Sequence, residues 1–237
     1  MVTRMCELLD LERAYNEVMD DERRGRDLTP DVINFLDSKA HTEEILRSLK
    51  QRVDEGQYKA GPLVKMANIP KDNFFIRPGA RPALEDWIVY HAIAKYIGLR
   101  ADRRLAPNVL SYRFNHRNRK LFHWADQWLK FDRAFWVSFD RGFRHVLKTD
   151  ITAYFVNISI ERLRASILAL SDQDEHTNKI IDLLFNGLLR SWSEAEVNKY
   201  FGLPQGINAS SILANLFLAH IDALFLRDRR FRYLRYM

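Results

Sequence analysis

Apolar residues along this chain recur mostly at three- and four-residue steps, the spacing that puts them on one face of a helix. Leu8, Leu11, Tyr15 and Val18 form such a stripe and predict a helix over residues 2–24. Thr29-Pro30 reads as a second helix start. Thr42, followed by Glu44, Ile45 and Leu49, opens a third helix that Gly56 ends. The rhythm then changes. From Tyr58, "YKAGPLVKMANIPKDNFFIRPGARP" has short apolar runs cut by turn residues, which predicts strands near 63–69 and 73–77 joined through Pro70 to Asn73. Pro82 suits a first helical position, and Gly98 suits the C-terminal cap of the helix it opens. Around 117–139, Trp124, Trp128, Phe131 and Phe135 return to helical spacing, and this aromatic stripe reads as core packing.

Further on, "GFRHVLKTDI" predicts a short apolar strand that emerges at Asp150. Helices are predicted near 159–171 and 175–191. The glycine-bounded loop "FGLPQG" then leads into the strongly apolar helix "SSILANLFLAHIDALF", and "FRYLRYM" reads as a strand. No internal repeat or low-complexity segment is visible. Strands and helices without a βαβ alternation predict an α+β architecture.

Composition adds limits. A chain of 237 residues with 47% hydrophobic and 29% charged residues has enough apolar material for a large core. Cys6, the single cysteine, excludes an intrachain disulfide and points to a reducing compartment. No apolar run reaches about 18 residues, and Glu7, Asp10 and Glu12 occupy the place where a secretory signal needs a basic start. The expectation is a cytoplasmic protein without a membrane partner. The net charge of +6 is uneven. One arginine-rich block runs from Arg100 to Lys120 and another from Arg227 to Arg235, interleaved with Tyr112, Phe114, Phe231 and Tyr233. Each block reads either as solvated surface or as a nucleic-acid footprint, since arginine pairs with phosphate and stacks on bases.

Several chemistries are absent from the sequence: no Walker loop, no Gly-x-Ser-x-Gly turn and no His-Glu-x-x-His helix. The seven histidines are scattered and read as structural or surface residues. Asp150 differs. A carboxylate at the end of a buried strand needs a cation or several donors, and Mg²⁺ prefers such oxygens. The alternative is a helix cap, because "DITAYF" also suits a helix start.

Asp150 with Phe155, "GLPQG" at 202–206, Ser210 and "LAN" at 213–215 together resemble the palm of reverse transcriptases. Upstream, "IPKDNFFIRP" and Asp86-Trp-Ile-Val resemble the fingers of group II intron, retron and defence-type members. The resemblance spans roughly 57–237 and implies a right-hand polymerase. Residues 1–56 would be a helical N-terminal extension, 57–148 a fingers-like region and 149–237 a truncated palm, with the thumb absent. The helical N-terminus and the aromatic insert at 117–140 look more like bacterial abortive-infection or defence-associated members, which act against phage, than like retroviral ones.

The resemblance also implies roles. Asp150 and the Ile151 carbonyl would be Mg²⁺ ligands, with Asp150 the catalytic aspartate that holds both ions of a two-metal site. Phe155 would be a steric gate favouring deoxynucleotides, and Lys71 and Arg77 would grip the incoming triphosphate. Gln205 and Gly206 would meet the nucleotide and the template base. Arg113, in "SYRFN", would face the template, and Ser210 would cap the motif B helix or touch the template. The implied partners are RNA or single-stranded DNA as template and primer, and deoxynucleoside triphosphates.

The sequence departs from the family in one respect: the Tyr-x-Asp-Asp pair that completes the metal site would follow Met237. With one aspartate of the set, the chain alone is expected not to polymerise. Two other readings stay open: a non-catalytic nucleic-acid-binding or assembly module on the same fold, and a helical scaffold whose basic blocks are only solvated surface.

Overall fold

The computed structural model describes residues 4–24, 35–70, 76–194, 202–228 and 230–237. The N-terminal stripe forms two helices, α1 (Met5–Leu9) and α2 (Leu11–Arg24), because Asp10 turns left-handed at φ 48°. Leu11, Tyr15 and Val18 are buried as the periodicity requires. The predicted start at Thr29-Pro30 lies outside the described residues. Helix α3 (Thr42–Asp54) begins and ends where expected, with Gly56 at φ 67° just beyond.

Strands β1 (Val64–Pro70) and β2 (Ile76–Arg81) pair antiparallel, with Ile69 opposite Arg77. Of the second predicted strand, near 73–77, residues 76 and 77 lie in β2 and 73–75 lie outside the described residues. The buried carboxylate of Asp86, at the start of α4 (Leu84–Ala101), accepts hydrogen bonds from the Tyr58 hydroxyl and the Gly61 amide. Burial pushes that carboxyl up, against the lowering effect of its two donors.

Helix α4 is the centre of the fold, with thirteen of its 18 residues buried. It runs past Gly98, so this glycine is not a cap. A Cβ there would lie 2.5 Å from Ile212 Cγ2 and 2.9 Å from Phe114 Cε2, and only glycine lets these neighbours approach. After α4, Asp102 accepts from Arg113, the Phe114 amide and His116, which anchors the hairpin of β3 (Phe114–Asn115) and β4 (Lys120–Leu121).

Helix α5 (Trp124–Asp140) follows. It overturns one expectation: Trp124 and Trp128 are 69% and 49% exposed, and the aromatic stripe is not core. Helices α6 (Ile160–Leu170) and α7 (Glu175–Asp182) come next. A wide π-type turn at Leu183–Leu189 then carries the chain into α8 (Arg190–Glu194).

The predicted apolar helix is α9 (Asn208–Phe217) and α10 (Ala219–Arg227), bent by 41° at the intervening Leu218. Among the described residues no single helix is long and apolar enough to cross a membrane. The bent pair has the length and composition of a span, but α9 is buried against α4 and α6.

The C-terminal segment is not a full strand. It makes one parallel bridge, Arg235 with Val109, through bonds from the Arg235 amide to the Asn108 carbonyl and from the Leu110 amide to the Arg235 carbonyl. One buried apolar cluster takes Val18, Leu49, Ile93, Leu163, Leu188 and Leu213, so all three predicted regions share a core. The described fold is mostly helical with two small two-stranded sheets, which agrees with α+β at a coarse level.

Candidate active site

Asp150 does not end a buried strand. Residues 143–150 are exposed and lie outside any helix or strand, and no main-chain hydrogen bond joins residues 144–151 to the rest of the described chain. The side chain of Ile151 is 51% exposed. An exposed carboxylate has no desolvation cost that a cation must offset, so that argument for a metal at Asp150 falls. Asp150 does not cap a helix either. The chain turns at 152–154, with Ala153 left-handed at φ 49°, and enters a short 3-10 turn, Phe155–Asn157. That conformation costs a non-glycine residue about 1–2 kcal/mol.

Phe155 is half-buried, and its main chain is gripped from across the fold. The Leu203 amide donates to the Phe155 carbonyl at 2.9 Å. At Gly202 a Cβ would come within 1.9 Å of that oxygen and 2.6 Å of Val156 Cα, so no other residue fits without moving backbone. The neighbouring Tyr154 hydroxyl donates to the Ala214 carbonyl of α9 at 2.6 Å, and burial pushes this phenol up. The two motifs lie about fifty residues apart in sequence and meet through main-chain contacts. Within the loop Gln205 is half-buried, and Gly206 turns at φ 110°, a conformation that favours glycine.

Two proposed contacts are occupied by the fold. Ser210 does not cap α9, since Ile207 holds that position; its buried hydroxyl pairs with that of Tyr90 at 3.1 Å. The Arg113 guanidinium binds the Asp102 carboxylate at 2.8 Å, and the carbonyls of Asp102, Ala106 and Val109. These contacts hold Arg113 to its own loop. Arg77 lies in β2, and Lys71 lies outside the described residues.

Sequence reasoning missed a buried polar network beside this clamp. Arg235 is 8% exposed and forks onto Asp222, which is fully buried, at 2.8 and 2.7 Å. The same guanidinium donates to Asn215 Oδ1 at 2.7 Å and to the Asn215 carbonyl at 3.1 Å. Asn215 Nδ2 reaches the Ser111 carbonyl, and the Tyr233 hydroxyl donates to Asp222. Burial, reinforced by Asp222, pushes the Tyr233 phenol up to about 12. The signal was present in the sequence. Asp222 lies inside an apolar helix, and such an acid needs a buried cation.

Among the described residues no group of three or more His, Cys, Asp or Glu side chains could hold a metal ion. Asp150 and the Ile151 carbonyl do not by themselves make up the ligand set of a Mg²⁺ pair. No protein-family model matches the chain, and no curated protein matches it.

Proposed function

We propose that the chain carries the fingers and part of the palm of a reverse transcriptase-like DNA polymerase, a magnesium-dependent nucleotidyltransferase acting on RNA or single-stranded DNA and deoxynucleoside triphosphates. The observation that supports this reading best is the clamp of Phe155 by the Gly202–Gly206 loop. It joins two motifs that the family resemblance pairs on independent grounds. In this reading Phe155 lies beneath the sugar, Gln205 meets the base, and Asp150 contributes one carboxylate to the metal site.

The exposure of Asp150 favours a second reading, a non-catalytic nucleic-acid-binding module that keeps the fold without the chemistry. Both readings are tested in the natural gene product. Under the polymerase reading, Asp150→Asn lowers deoxynucleotide incorporation at least about a thousandfold while melting stays unchanged. Incorporation unaffected by the substitution refutes the metal role. A wild-type protein that binds nucleic acid and incorporates nothing supports the second reading.

A further inference from the structure

Every large apolar side chain that is exposed among the described residues lies in 122–151 or in 224–231. Helix α5 presents the largest of them. Trp124, Trp128 and Trp136 are 69%, 49% and 55% exposed, with Phe139 at 41% on the same helix. Trp128 stacks on Phe131 at 5.6 Å and meets Tyr236 edge-on at 5.2 Å, which steadies its ring. From Trp124 to Trp136 the helix spans about 18 Å, at about 1.5 Å per residue.

Charge identifies the partner. Arg117, Lys120, Lys130, Arg133, Arg141 and Arg144 lie on α5 or on the segments that flank it in the chain, all exposed, and none forms an ion pair with a carboxylate of the described residues; the helix also carries three exposed acids, Asp126, Asp132 and Asp140. Elsewhere on the surface Arg104 pairs with Asp172 and Lys179 with Glu175. Two of the α5-side cations already lie on aromatic faces: Lys130 is 4.5 Å from the Phe122 centroid and Arg144 is 4.2 Å from that of Phe139. Exposed indoles flanked by unpaired cations match single-stranded nucleic acid, whose bases stack and whose phosphates take the cations.

We infer that the α5 face is a stacking platform for single-stranded nucleic acid, outside the Phe155 clamp. The inference rests on the nucleic-acid reading above and adds where the strand lies. Asp132 sits one turn from both Trp128 and Trp136, so the phosphates run along the Lys130–Arg133 flank and not over the centre of the face.

Titration with oligothymidylate and oligouridylate, read by tryptophan fluorescence, tests this in the chain as it stands. Trp87 and Trp192 are 6% and 2% exposed, so quenching by stacked bases reports the α5 indoles. Trp128→Ala and Trp136→Ala should each weaken binding about tenfold. Asp132→Asn should tighten it about threefold, and raising salt fourfold should weaken it about twentyfold for three phosphate contacts. Salt-dependent binding that the tryptophan variants leave unchanged overturns the platform and spares the nucleic-acid reading. If neither oligonucleotide binds, both fall. Concentration-dependent self-association that the tryptophan variants abolish identifies a protein interface and also overturns the platform.

Discussion

Helices α4 and α5 are nearly equal in length, 18 and 17 residues, and both are rich in aromatic residues, yet they have opposite surroundings. Apolar residues cover α4 on nearly every side, and α2, α9 and the π-type turn enclose it. In α5 only Gln127 and Ser138 are buried, while four of its aromatic rings are at least 41% exposed. A helix that is apolar on nearly every side has nowhere to go but inside. A stripe can face core, solvent or a partner, and its spacing does not choose among them.

The largest expected effect lies on the enclosed side. Asp222→Ala leaves Arg235 buried without its carboxylate, and should cost about 3–5 kcal/mol in urea unfolding. A loss below about 1 kcal/mol would mean that Arg235 reaches water without it. Gly98→Ala should cost about 2 kcal/mol, since the added methyl meets Ile212 and Phe114. An unchanged midpoint would show that α4 and α9 separate freely.

The third test is acid unfolding. Burial opposes the ionisation of Glu17, but hydrogen bonds from His91 and Lys95 outweigh it and hold its carboxyl down at about 2. The depressed folded value gives stability that is complete above about pH 4.5 and lost as pH falls toward 2. Burial also pushes the Lys95 ammonium down, which reduces the net gain to about 1 kcal/mol. Glu17→Gln should flatten that part of the pH profile. An identical profile would remove Glu17 from the account.

The smallest effect is expected on α5. Trp136→Ala should change stability by no more than about 0.5 kcal/mol, as for other exposed positions. A loss of 2 kcal/mol or more would mean that the ring is buried in solution, and the contrast between the two helices would fail.

Much of the helical plan was legible because its signals are local. Leu11, Tyr15 and Val18 face the core, Gly56 follows α3, and the apolar segment after the glycine loop forms α9 and α10. The misplaced positions depended on neighbours distant in sequence. Gly98 reads as a cap until Ile212 and Phe114 stand against it. Ser210 reads as a cap until Tyr90 takes its hydroxyl. The strand expected before Asp150 needs a paired edge, and no described residue supplies one.

What the sequence alone determined is which segments are helical and which carry chemistry-bearing residues, since periodicity and turn residues act over a few positions. Only the tertiary structure decided that Leu203 would meet Phe155, that Arg235 would find Asp222, and that the tryptophans of α5 would face outward. Each of these depends on surface shared by segments far apart in the chain. Burial is a property of the pair in contact, and neither partner encodes it by itself.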